Sequence, residues 1–167
     1  MVKRLPKGAD ASSYDFDHPS SLNMDLLYKC LLELLKTGQT EIPVYCFKTH
    51  SPLPNQSTKL KTKKLLVLEG ILSMYDERIR NLCDLKIFIH CDADIALARR
   101  ILRDIKERGR DVTEVLNRYN NFVKEDYEKY VKPQMKYCDL IIPGGASNDK
   151  ALQLLVENLK TTLDQKD

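Results

Sequence analysis

No apolar run in the 167-residue sequence approaches the length that spans a bilayer, and the first residues lack the apolar core of a secretory leader. The five cysteines (Cys30, Cys46, Cys83, Cys91, Cys138) are odd in number and scattered. With no C-x-x-C pair and no Cys/His grouping at zinc spacing, they exclude a disulfide framework and a zinc module, and they predict reduced thiols buried in apolar segments. None of the six glycines is followed by Lys-Ser or Lys-Thr, so the phosphate-cradling loop G-x-x-x-x-G-K-[ST] is absent from these residues. A net charge of +3 is too small to indicate a nucleic-acid or membrane partner. Nucleophile elbow, zinc helix and aromatic–basic nucleic-acid patterns are also missing. These absences predict an intracellular, cytoplasmic protein.

What remains describes an ordinary globular chain, with 43% hydrophobic and 31% charged residues. No linker or repeat divides it, so a single domain over 1–167 is expected, long enough to bury a core. Residues 1–13 lack apolar periodicity and read as an irregular segment. From Ser20 to Lys36, Leu27, Leu31, Leu34 and Leu35 fall at helical spacing, with Ser20 or Ser21 to cap the start and Gly38 to end it. Residues 42–47 form a short extended stretch whose Pro43 suits an edge strand. Residues 51–64 read as a polar loop that becomes basic.

Leu65-Leu66-Val67-Leu68 is continuous enough for a buried parallel strand ending at Glu69-Gly70. Further strands are expected at 85–89 and 140–142, two helices at about 92–108 and 111–130, and a last helix from Ser147 to about Leu163. Strands separated by helices predict an α/β domain with a largely parallel sheet. In such sheets ligands collect at the strand carboxyl ends. Glu69-Gly70, His90-Cys91-Asp92 and Pro143-Gly144-Gly145 lie there.

Four features could carry chemistry. Asp17 and His18 either belong to the entry turn of the first helix, or Asp17 accepts hydrogen bonds from ligand hydroxyls through its four lone-pair sites. Tyr45 and His50 flank a polar turn, as a half-buried tyrosine and surface histidine or as a holder for a planar heterocycle. Glu69 either caps a neighbouring loop or helps organise a metal–phosphate complex. The densest signal is Arg99-Arg100-Ile101-Leu102-Arg103 followed by Glu107-Arg108-Gly109-Arg110-Asp111. A solvated face paired with Asp104, Glu107 and Asp111 would account for it, but the glycine break and arginine density favour a corner that clamps phosphate oxygens.

Taken in order, YDFDHP, IPVY-x-F-x-x-HS, VLEGIL, DAD-x-x-L-x-RR-x-LRDI-x-ERGRD, FVK and YCDLIIPGGASN resemble the uridine–cytidine kinase family of P-loop nucleoside kinases, from about Tyr14 to Leu163. The resemblance implies a P-loop-kinase-like parallel sheet flanked by helices, with residues 92–130 as a lid-like helical region. It implies that Asp17 holds ribose hydroxyls, that Tyr45 and His50 recognise a pyrimidine, and that Glu69 lies near magnesium. Arg100 and Arg110 would meet the substrate, and Arg99, Arg103 and Arg108 would line the phosphate-side lid. The implied cofactors are ATP and Mg2+. The implied reaction moves the γ-phosphoryl of ATP to the 5′-hydroxyl of uridine or cytidine, driven by positioning and charge stabilisation.

The sequence departs from the family pattern in informative places. The P-loop is absent, and the segment with the general-base aspartate is expected before residue 1, so no catalytic residue is assigned. The family's Y-D-F is Tyr45-Cys46-Phe47 here, and an expected arginine is replaced around Pro52. An expected glutamine is Arg118, and an expected aspartate near adenine is Ser147. Without the N-terminal P-loop strand and helix, a central strand is missing and neighbouring ladders lose partners. Three readings follow: a kinase whose first part lies outside these residues, a non-catalytic nucleoside- or nucleotide-binding module, and a structural subunit. In the last, a second copy or a macromolecular partner covers the exposed sheet edge.

Overall fold

The computed structural model describes residues 1–11, 13–46 and 49–164 and has a mixed α/β architecture. The chain divides into two compact units, Met1–Cys83 and Asp84–Asp167.

In the first unit, Pro19–Ser21 forms a 3-10 turn capped by His18, whose Nδ1 accepts from the Ser20 N–H at 3.1 Å. Helix α1 (Met24–Thr37) follows, capped by Asn23, whose side-chain oxygen accepts from the Leu26 N–H at 3.0 Å. The predicted serine cap is thereby corrected. Proline at the start of the short turn draws Ser20 and Ser21 into that turn, and the first side chain free to satisfy helix donors is Asn23. Gly38 ends α1 as expected, with φ 77° and its N–H bonded to the Leu34 carbonyl. The buried stripe is centred on Cys30 and Leu34, whereas the expected core residue Leu35 is exposed.

Strand β1 (Gln39–Cys46) packs beside α1 and pairs antiparallel with β2 (Ser51–Lys61). The register runs from Gln39 opposite Lys61 to Cys46 opposite Ser51, with a shift between Pro43 and Tyr45. Pro43 therefore lies on an isolated two-stranded ribbon, as its missing N–H requires. Phe47 falls outside the described residues. The predicted loop over 51–64 is for the most part a strand. Its low intrinsic preference is overridden by pairing: Lys59 lies opposite Glu41, and the Ser57 hydroxyl donates to the Glu41 carboxylate at 2.7 Å.

Short helix α2 (Glu77–Arg80) is capped by Asp76, whose carboxylate accepts from the Arg78 N–H at 2.9 Å. The Arg78 guanidinium binds that carboxylate again at 2.6 Å and reaches Asp25 on α1 at 2.8 Å. The Arg78 side-chain bonds hold the Asp76 carboxyl below the usual carboxylate range.

The apolar run 65–68 carries no strand, which corrects that expectation. Leu65, Leu66 and Val67 are 46%, 42% and 73% exposed. A strand needs a partner backbone as well as apolar side chains, and composition reports only the second.

In the second unit, β3 (Ile87–Ile89) and β4 (Leu140–Ile142) pair in parallel, as expected. Asp139 leads β4 in: its carboxylate accepts from the Lys86 N–H at 2.7 Å and faces the Lys86 ammonium at 3.1 Å. Helix α3 (Ala93–Arg108) matches the first predicted segment, whereas the second, expected over 111–130, is α-helical only as α4 (Val112–Arg118) before it changes pitch; α3 and α4 pack together around a corner at 109–111. Beyond α4, π-helical turns at Tyr119–Val123 and Tyr127–Val131 bracket α5 (Lys124–Asp126). A 3-10 turn (Lys132–Tyr137) follows, and α6 (Asp149–Asp164) is the last helix. Phe88, Val115, Val131 and Ile142 supply the buried apolar residues of this unit. None of the five cysteines is in a disulfide, but only Cys30 is buried and the other four are half-buried, which corrects the expectation that all are buried.

Candidate functional site

The expected nucleoside-side residues all lie in the first unit and the arginines in the second. Asp17 sits half-buried in a turn organised by Asp15, whose carboxylate accepts from the N–H groups of Asp17 at 3.0 Å and His18 at 3.1 Å. The Ser21 hydroxyl closes the same turn by donating to the Asp15 carbonyl. Asp15 therefore spends its own carboxylate on the backbone and fixes the direction of the residue after next.

An aromatic chain joins this turn to the next predicted element. The Phe16 and His50 rings stack with centroids 5.0 Å apart at 29°, and Tyr14 meets Phe16 edge-on at 4.8 Å. Such pairs hold geometry beyond their buried area. His50 has φ 47°, an uncommon left-handed conformation for a non-glycine residue, and its carbonyl accepts from the Leu5 N–H at 2.9 Å. Tyr45 is half-buried on β1. Burial, then Tyr14 and Cys46, push its phenol above the ordinary tyrosine value, so at neutral pH it is a protonated donor. Thus the Asp17 turn and His50 are linked through Phe16, which Tyr14 buttresses, two aromatics not singled out from the sequence. Their signal was available in YDF, where two aromatics flank a carboxylate.

In the second unit, four of the five predicted arginines converge on one carboxylate. Asp104 is fully buried. Its Oδ1 accepts from Arg103 Nε at 2.9 Å and lies 3.2 Å from Arg108, while its Oδ2 lies 3.8 Å from Arg100 and 3.7 Å from Arg110. Arg110 also approaches Glu114 at 3.8 Å. The corner is shaped by Gly109, whose left-handed φ of 62° lets its N–H and that of Arg110 both return to the Asp104 carbonyl. Asp111 then caps α4 through the Thr113 N–H at 2.7 Å, and its bonds to Thr113 hold its carboxyl below the usual range. Four guanidiniums around one carboxylate leave a strong positive excess, and guanidinium forks match phosphate oxygens.

Arg99 departs from this group. Its guanidinium donates to the Ser147 hydroxyl at 3.1 Å and lies 3.8 Å from the Cys91 sulfur. It is also 3.0 Å from where a Cβ on Gly145 would sit, so only glycine fits there without displacing Arg99. The carboxyl ends of β3 and β4 are stitched beneath it by the Gly145 N–H to the His90 carbonyl at 2.8 Å. A shallow, open depression of about 460 Å³ lies alongside, lined by Pro143, Gly144, Ser147 and Asn148. Arg118, standing where a glutamine was expected, is buried at the end of α4.

Glu69 is exposed at the end of the unpaired 65–68 run. Among the described residues no group of three or more His, Cys, Asp or Glu side chains gathers to hold a metal ion. A lone carboxylate does not make a magnesium cage, although magnesium commonly adds phosphate oxygens and water to one or two carboxylates. The arginine corner by contrast fits the phosphates of a nucleotide. Among the described residues no helix is long and apolar enough to cross a membrane.

Residues 3–151 match the model of the phosphoribulokinase / uridine kinase family. The chain is 44% identical to uridine-cytidine kinase A of Dictyostelium discoideum over 99% of its own length and 33% of that relative's. It is 42% identical to uridine kinase of Saccharomyces cerevisiae over 93% of its length and 31% of the relative's. With uridine-cytidine kinase B of Dictyostelium discoideum the identity is 41%, over 93% of the chain and 64% of the relative. The chain thus spans about a third of the length of the first two relatives. With the ordered motifs from Tyr14 onward lying inside the matched residues, the chain belongs to the phosphoribulokinase / uridine kinase family.

Proposed function

We propose that these 167 residues form the nucleoside- and phosphate-recognition part of a cytoplasmic uridine–cytidine kinase, and bind their ligands without turning them over unaided. Asp17 accepts the ribose hydroxyls, Tyr45 and His50 hold the pyrimidine, and Arg100, Arg103, Arg108 and Arg110 hold phosphate oxygens. ATP, when bound, supplies the γ-phosphoryl for the 5′-hydroxyl of uridine or cytidine. The residues of this chain orient the acceptor and screen part of the phosphate charge, in a reaction class driven by positioning and charge stabilisation. The observation that carries the reading is the Phe16–His50 stack, which ties the carboxylate turn to the base-side turn. Without a G-x-x-x-x-G-K-[ST] sequence, the backbone N–H cradle and its lysine are not supplied by these residues.

Calorimetry with uridine and cytidine tests this. Saturable binding is expected, weakened about 10-fold or more by Asp17→Ala, because a hydrogen bond to a charged group contributes about 1.5–3 kcal/mol. No heat from either nucleoside would sink the recognition reading. Robust turnover of uridine with ATP and magnesium by the same chain would sink the binding-only part.

The exposure of Leu65, Leu66 and Val67 favours a second reading, in which a second copy of the chain covers this run. Sedimentation should then report a dimer that Val67→Asp dissociates; a monomer at every concentration tested removes this reading.

A further inference from the structure

We infer that Asp104 is a positioning residue that aims the arginine corner at phosphate, rather than a counter-ion that merely neutralises it. The inference rests on the phosphate-binding reading of that corner. Asp104 approaches each of Arg100, Arg103, Arg108 and Arg110, and those four come from α3 and from the loop beyond it. It is fully buried, whereas the four arginine side chains stay between 21% and 44% exposed. The carboxylate therefore lies deeper than the four arginine side chains, each of which stays partly exposed.

Its two oxygens divide the work. Oδ1 takes the short contacts, 2.9 Å to Arg103 and 3.2 Å to Arg108. Oδ2 is buried without a hydrogen bond and has Arg100 and Arg110 at 3.8 and 3.7 Å. The same residue's carbonyl accepts the Gly109 and Arg110 N–H groups that end α3, so one residue sets both the backbone corner and the side-chain fan. Long arginine side chains lose much rotamer freedom when they bind a ligand, and a buried carboxylate that holds them beforehand lowers that cost.

Asp104→Asn separates positioning from neutralisation by the sign of its effect, with inorganic tripolyphosphate as the probe. The variant gains one positive charge. If Asp104 only neutralises, tripolyphosphate binds the variant as tightly or more tightly. Positioning predicts binding weakened about 10-fold, on the scale of one charge-assisted hydrogen-bond geometry. Failure of the full wild-type chain to bind tripolyphosphate would strike the phosphate-site reading instead, and the positioning claim is then read from a second measurement.

In nitrogen–proton spectra of the wild-type chain, the Nε–H signals of Arg100 and Arg103 and the Nη–H signals of Arg108 and Arg110, the groups that face Asp104, should be distinct and slow to exchange. In Asp104→Asn they should collapse toward the free-arginine position, while Arg78, tied to Asp76 in the other unit, is unchanged. Should the variant not fold, the wild-type spectrum alone decides. Four signals already at the free-arginine position overturn the inference, as does equal or tighter binding by the folded variant.

Discussion

Arg103→Ala combined with Arg110→Ala is expected to weaken tripolyphosphate binding about 100-fold or more. Each lost hydrogen bond to a charged partner removes about 1.5–3 kcal/mol, and every 1.4 kcal/mol is tenfold in affinity. The pair is chosen because the two guanidiniums reach opposite oxygens of Asp104, Oδ1 at 2.9 Å and Oδ2 at 3.7 Å, so the fan loses an arm on each side. Arg108 stays 3.2 Å from Oδ1 and Arg100 3.8 Å from Oδ2, so the buried carboxylate keeps compensation and the helix corner should survive. Lys106→Ala combined with Lys160→Ala, both exposed on helices of the same unit, is the charge-matched control and should change affinity by less than about threefold, because isolated surface charges are solvated and screened. Calorimetry at two salt concentrations measures both. Equal losses in the control and in the arginine variant would show that tripolyphosphate senses net charge alone.

Ile79→Ala is expected to destabilise the chain by about 3 kcal/mol, within the 2–5 kcal/mol typical of emptying a fully buried aliphatic site. Ile79 has 0% exposure although it sits on the four-residue helix α2. A helix that short has no stability of its own, so α2 exists because Ile79 is buried and because Asp76 and Arg78 tie its start to α1. The mutation therefore removes buried volume and the anchor of a whole element together. Val67→Ala, by contrast, truncates a side chain 73% exposed and should cost under about 0.5 kcal/mol. Urea unfolding followed by circular dichroism compares the two, and similar midpoints for both variants would refute the assignment of Ile79 to the core.

The legible part of the fold was the part written in local chemistry. Gly38 and Gly109 mark helix ends because a left-handed residue closes the last carbonyls, and both do so at φ values near +60 to +80°. Asp111 announces α4 by capping it, and the parallel strands at 85–89 and 140–142 were visible as apolar runs between helices. The arginine spacing likewise showed that α3 and its corner would carry a cluster. It did not show that Arg99 leaves that cluster for Ser147, because spacing along a helix gives a face and not a partner.

Other expectations failed where pairing decides. Residues 51–61 look like a polar loop and become a strand because β1 offers a ladder, whereas 65–68 look like a strand and are not one. Backbone hydrogen bonds between distant segments have no imprint in the composition of either segment alone.

By itself the sequence determined family membership, the helix boundaries set by glycine and aspartate, and the residue types of a nucleoside and phosphate site. The tertiary structure alone decided that Tyr14 and Phe16 join the Asp17 turn to His50, and that Asp104 lies beneath four arginines. The reason is that a motif specifies which groups are present, while burial specifies their direction. A carboxylate taken out of water must be surrounded by its counter-charges, and in doing so it orients them.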